Sequence, residues 1–353
     1  MAIWQKRQPN VCLREQRLLN SGPLKSLVTS IESTGPWAPW WFLGLFILAS
    51  VIMIWRLEVM NEGGVEGTVL GTLVMPYCSG IGNLIFAFVI GARKGAGSEV
   101  VTNALVNNVT NLTLLIGVPT MLWGMNVMPV SKSKKKNKAN QQEHQINRLS
   151  LLLTLTAVLF FTGATWALGR DGQIDFAEGL VLVGLFLFWQ CFHVFDVLKS
   201  NVRKNKSFGW MFPIDLILLA IGAYGIYVST DWLVKWSQTQ SGFVSQHLGW
   251  LSGWLMVLPN ALLSVYYSWR GNPEVVYTSQ VGDGHICIPL CLGVAALYQP
   301  VQVPAFFQSG MFILLGVAVL HFALIAAFGR LPRLMGWVLT AAYGLFLYKG
   351  LFH

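Results

Sequence analysis

GARKGAGSEVVTNALVNNVTNLTLLIG (Gly91 to Gly117) decides how this chain is read. It opens on a short basic turn and continues into a helix-length run in which Asn103, Asn107, Asn108 and Asn111 sit among Val, Leu and Ile. Amides in an apolar run are costly in lipid unless they face a partner or a cavity. The stretch overlays a second one, Trp269-Arg270-Gly271 through Gly293-Val294, at a constant offset of 176 residues. Asn103 then meets Ser279, Asn107 meets Asp283, Asn111 meets Cys287 and Gly117 meets Gly293. Upstream, Gly82-Asn83 meets Pro259-Asn260 if the first copy carries one extra residue before Gly95. Each copy is a helix with a breaking Gly or Pro beside Asn, a basic turn, and a second helix rich in small and amide side chains.

The rest of the chain supplies the setting. Of 353 residues, 54% are hydrophobic and 11% charged, against roughly 25% charged in a soluble domain, which argues against a soluble enzyme. The net charge of +9 comes from basic residues placed between apolar runs rather than in a patch, so no nucleic-acid partner is expected. Apolar runs lie at about 37–55, 67–92, 100–123, 149–168 and 180–198, and again at 214–234, 248–269, 275–298, 305–328 and 334–352. A bilayer crossing takes about 20 such residues, and lipid leaves only helices or a closed barrel. These runs are too long and too unalternating for barrel strands. The expectation is an all-α integral membrane protein of about ten transmembrane helices. Five spans per half is an odd number, so the second copy enters the membrane in the opposite sense, giving two inverted five-helix repeats. Such repeats place substrate near the midplane, where interrupted helices face a cavity.

The domain reading is a basic N-terminal tail over 1–36, lacking the apolar centre of a signal peptide. A first five-helix half follows over 37–198 with its repeat at 67–123, then a cytoplasmic linker over 199–213, then a second half over 214–353 with its repeat at 248–298. Alternate loops hold 14 and 5 Lys/Arg, with five more in the tail. The first set is therefore cytoplasmic, in a plasma (inner) membrane, and both chain ends lie outside. The basic tail is discordant with that orientation; an eleventh crossing or a re-entrant piece would move it inside. The polar run from Ser131 to Asn147 reads as a solvated connector, with attraction to anionic headgroups as the alternative. The five cysteines are odd in number and four lie in apolar runs, so no disulfide framework is read. Cys287 and Cys291 share a helix face, but without His or carboxylate at ligand spacing they read as packing residues.

The motif residues resemble a known family. The run from Gly91 to Gly117 resembles the second half of the alpha repeat of the cation/calcium exchanger superfamily, which reads like KG..D...GN..GSN..N..L.LG, with Lys94, Gly95, Asn103, Asn108, Asn111 and Gly117 at matching positions. LPNALLSVYYSWRGNPEVVYTSQVGDGHICIPLCLG (Leu258 to Gly293) is similar to the family's LPELATSL followed by KG and GN..GSN, through Pro259, Ser264, Gly271, Gly282 and Gly293. GRDGQIDFAEGLVLVGLFLFW (Gly169 to Trp189) resembles the link between the fourth and fifth spans. The resemblance implies ten spans and cation exchange by alternating access. It also implies a Pro-Glu in each repeat, the two Glu side chains binding cations at the midplane. Here the matching residues are Asn83 (or Leu84 without a gap) and Asn260. The family's Thr-Ser pair is replaced by Ser79-Gly80 and by Met256-Val257, and the second Gly-Ser-Asn is Gly282-Asp283-Gly284. Two carboxylates suit Ca2+, which wants oxygens and charge neutralisation, whereas two amides bring oxygens alone.

Asn83, Asn103, Asn107, Asn108, Asn111, Asn260, Ser264, Ser279 and Asp283 are therefore expected to line a central site, with Asp283 supporting exchange of a monovalent cation or a proton. His285 is a candidate proton carrier. Two residues apart, Asp283 and His285 point to different helix faces, and burial against Asn107 and Asn108 is their alternative role. His193 and Asp196 read as an interfacial pair and His321 as a packing residue. The substrate is an inorganic cation or proton and the second partner the lipid bilayer, with no cofactor; metal ligation and oligomeric state stay open. No nucleotide loop or nucleophile constellation is visible. A second class remains open, a non-transporting exchanger-fold protein with an interaction or assembly role.

Overall fold

A computed structural model of the protein describes residues 23–62, 75–128, 138–201 and 212–352. It contains the helices α1 (Pro23–Glu32), α2 (Ala38–Glu62), α3 (Met75–Ala92), α4 (Gly97–Leu112), α5 (Leu114–Trp123), α6 (Lys138–Leu168) and α7 (Phe176–Asn201). The second half contributes α8 (Phe212–Thr239), α9 (Phe243–Gln246), α10 (Leu248–Trp269), α11 (Pro273–Ile286), a π turn (Cys287–Cys291), α12 (Leu292–Tyr298), α13 (Phe307–Phe328) and α14 (Arg333–Leu351). Among the described residues, eight helical stretches are long and apolar enough to cross a membrane, and Gly80–Ala92 and Phe176–Cys191 are shorter apolar helices. The protein is an all-α, multi-pass membrane protein.

Two segments read as tail and connector carry helix. The stretch read as tail contains α1, and Trp232 on α8 donates to Glu32 at 2.9 Å. The polar connector ends at Lys138, where α6 already begins, because Lys, Gln and Glu are good helix formers that need no apolar face to extend a helix anchored elsewhere.

The inverted repeat is visible in the backbone. After α3, Lys94 N–H bonds Gly91 O and Gly95 N–H bonds Ile90 O, with Lys94 in the left-handed region at φ 52. After α10, Gly271 N–H bonds Ser268 O and Asn272 N–H bonds Tyr267 O, with Gly271 at φ 76. These are the same C-cap, in which one left-handed residue closes the last carbonyls. Lys94 is thus the counterpart of Gly271, and the extra residue of the first copy falls after Gly95, at Ala96. A second match links the loops. Met125 and Leu331 form an antiparallel bridge, supported by Met128 N–H to Gly329 O at 2.9 Å. On the other face β1 (Gln173–Ile174) pairs antiparallel with β2 (Val301–Gln302), supported by Val303 N–H to Gly172 O at 3.0 Å. Gly329 and Gly172 are both left-handed, at φ 64 and 101. One contact is built twice in opposite senses.

Burial separates two layers. The span over α4 and α5 is 78% buried and that over α11 to α12 is 82% buried, whereas those over Gly35–Met53 and Pro213–Thr239 are 33% buried each. α2 and α8 run antiparallel to one another: Phe42 stacks on Trp232 at 4.2 Å between centroids, and Arg56 pairs with Asp215 at 3.5 Å. α4 and the α11–α12 unit form the centre. α10 reaches α4 through Gly249 and Gly253, where a Cβ would come within 2.7 Å of Thr102 and Val106 side-chain atoms respectively.

Candidate functional site

Both central spans are interrupted at the same place. The first breaks at Thr113, between α4 and α5; the second widens into the π turn centred on Pro289, which is Thr113 plus the repeat offset. Pro289 has no N–H and its ring disfavours the tighter helical turn, which accounts for the widening. The repaired breaks show how costly loose backbone is at this depth. Pro119 cannot donate to Leu115 O, four residues back, and Ser264 Oγ donates there instead at 2.7 Å. Leu112 O, at the end of α4, accepts from His321 Nε2 at 2.9 Å, so that nitrogen carries the proton. His321 also meets the Tyr277 ring edge-on at 5.4 Å between centroids.

Around these breaks the amides converge. Asn83, Asn103, Asn107, Asn108, Asn111, Asn260, Ser264 and Asp283 are all buried. The Asp283 carboxylate accepts from Asn111 Nδ2 of the first copy at 3.2 Å and from Asn260 Nδ2 of the second. Asn107 Nδ2 donates to Cys287 Sγ at 3.2 Å, and Asn108 Nδ2 to Ala104 O at 2.7 Å. These commitments leave Asn107 Oδ1, Asn108 Oδ1 and Asn111 Oδ1 buried without a hydrogen-bond donor. Asn83 bonds no nitrogen or oxygen among the described residues, and its side chain stands against the Cys287 thiol. Glycine at 284 lets the α11 backbone approach Asn108, since a Cβ there would stand 3.2 Å from Asn108 Oδ1. The contacts obey the repeat. Asn107 corresponds to Asp283 and Asn111 to Cys287, so Asn111 to Asp283 and Asn107 to Cys287 are one contact related by the internal two-fold.

Other expected residues fall elsewhere. Asn103 Nδ2 donates to Ser252 Oγ at 3.0 Å, and Ser252 is a wall of a mainly apolar cavity of about 400 Å³ between α2, α8 and α10. Ser264 repairs backbone rather than joining the amide cluster. Ser279 is only half-buried, while its neighbour Gln280 is fully buried with both amide atoms unpartnered. The overlay with Asn103 pointed to Ser279; the turn of α11 carries Gln280 inward instead. His285 lies on α11, but its side chain is outside the described residues, as are those of His193 and Asp196. Cys287, read as packing, takes part through its sulfur, which the bare i, i+4 spacing with Cys291 did not reveal.

The sodium/calcium exchanger protein family model matches residues 36–195 and 214–350, which together span most of the chain. The chain belongs to that family. Its members are cation transporters rather than enzymes. No curated protein matches this chain in sequence. Its fold is similar to solved structures of the sodium-calcium exchanger NCX_Mj. One, soaked with 2.5 mM Na+ and 10 mM Sr2+, gives a TM-score of 0.59 at 20% identity, over 86% of this chain and 94% of that one. Another, soaked with zero Na+ and Ca2+, gives 0.59 at 19% identity over 86% and 94%.

Proposed function

We propose that this exchanger is a cation antiporter of the plasma (inner) membrane that works by alternating access and takes a monovalent cation or a proton in place of calcium. The observation that carries this reading is Asp283, fully buried and held by amides of both repeats. One carboxylate balances one positive charge. The unpartnered amide oxygens of Asn83, Asn107, Asn108 and Asn111 stand in the same cluster and offer a cation dipoles without further charge. A divalent ion would keep an uncompensated charge at membrane depth, where charge is costly. The NCX_Mj structures concern extracellular ion exchange and induced binding-site occlusion, and the burial of Asp283 suits an occluded site here.

The test is ion flux into proteoliposomes with Na+, K+, Ca2+ and pH gradients, comparing the wild type with Asp283→Asn. The expected result is monovalent or proton-coupled flux that the substitution reduces to background. Flux that survives the substitution removes Asp283 from the mechanism. A wild type with neither flux nor ion-dependent thermal stabilisation would instead mark a non-transporting member of the family.

A further inference from the structure

The two-fold counterpart of the carboxylate site is built from softer atoms. Cys287 and Cys291 bracket Pro289 in the π turn, at the same depth as the Thr113 break. Both thiols are free and buried, and they lie against one another. Asn107 Nδ2 points at Cys287 Sγ from 3.2 Å, a donor aimed at sulfur as an acceptor. Asn83, which bonds no nitrogen or oxygen among the described residues, stands against the same sulfur. The widened turn carries the two thiols four residues apart, with the Cys287 sulfur facing Asn107.

We propose that Cys287 and Cys291 form a binding site for a soft monovalent cation of the Cu+ or Ag+ class. Soft thiolate ligands select Cu+ over hard cations. Zn2+ asks for four ligands in a tetrahedron, and among the described residues no third His, Cys, Asp or Glu joins the pair. Cu+ and Ag+ accept two sulfur ligands. On coordination one thiol releases its proton to solvent as the cation takes its place and the second sulfur binds as a thiol, so the charge of the site is unchanged and no oxidant or reductant is needed. Asn107 and Asn83 act as positioning residues, the first holding the Cys287 sulfur. The site does not rest on Asp283 or on transport.

The test uses the full-length protein in detergent under nitrogen, with Cu+ supplied from a colorimetric chelator. Cys12→Ser, Cys78→Ser and Cys191→Ser together remove competing thiols. In that background one Cu+ per chain is expected to leave the chelator. Adding Cys287→Ser and Cys291→Ser should weaken binding by more than the ~10–100-fold that loss of an outer-shell partner costs. Copper-edge X-ray absorption of the background protein should show two sulfur neighbours, a measurement that stands even where the serine variants do not fold. Undiminished Cu+ binding in a folded Cys287→Ser/Cys291→Ser protein overturns the proposal, and so do a shell of nitrogen and oxygen alone or the absence of bound Cu+.

Discussion

The two halves of the central cluster make the same contact with different atoms. In one, an amide of the first copy meets a carboxylate of the second, Asn111 to Asp283; in the other, Asn107 meets the Cys287 thiol. The helices keep their repeat symmetry while the chemistry has lost it, so the backbone is specified by caps, breaks and clips, and charge is specified separately by single side chains. A chain can therefore keep this fold while the side chains at its centre change.

The largest test of that difference is to restore the missing charge. Asn107→Asp puts a second carboxylate at the position equivalent to Asp283. In ion-free detergent it should destabilise the protein by about 3 kcal/mol, the cost of an uncompensated charge at membrane depth. Ca2+ should recover much of that loss, because two carboxylates meet its charge. Thermal melting with and without Ca2+ reads both effects; a variant indifferent to Ca2+ would show that the two positions do not share one site.

Packing gives a smaller contrast. α10 meets α4 at Gly253, where a Cβ would stand 2.7 Å from Val106, whereas at Gly80 on α3 a Cβ would stand 3.3 Å from Ile286. Gly253→Ala should therefore cost about 1–3 kcal/mol by overpacking, and Gly80→Ala clearly less, since a few tenths of an ångström of give at Ile286 suffices. Equal melting temperatures for the two variants would remove this asymmetry.

The smallest effect concerns the repaired break. Ser264→Ala strips the donor from Leu115 O and should cost about 0.6–1 kcal/mol, the scale of hydrogen bonds between membrane helices. Pro119→Ala in the same protein returns a backbone N–H to that carbonyl, so the double variant should lose less than the sum of the single changes. Additive losses would mean that Ser264 acts elsewhere.

Much of the fold was legible in the sequence because hydropathy and membrane thickness fix span lengths: the run at 248–269 has the bounds of α10. The helix break at Thr113 was not, since nothing in Asn-Leu-Thr-Leu-Leu announces it; the break follows from packing. For the site, the amide residue types announced a polar centre; in the structure Asn111 and Asn260 meet at Asp283, and Asn107 and Asn83 meet at Cys287. Facing was harder to read. A constant offset pairs residues but not helix faces, so it selected Ser279 where the helix turns Gln280 inward. Partnership was hardest, because Ser264 and Asn103 are equally polar in sequence yet spend their hydrogen bonds on a carbonyl and on Ser252.

The two strand-like clips have a mechanical meaning. Met125 follows the end of α5 by two residues, and Val301 follows the end of α12 by three, so each interrupted helix is pinned to the other half of the molecule at its outer tip. A rod fixed at its tip and broken in its middle does not tilt as a whole; it bends at the break. Any give in these two rods is therefore concentrated at Thr113 and at Cys287–Cys291, within the polar cluster itself, and a load applied there is felt as a change in how the carboxylate, amides and thiols face one another.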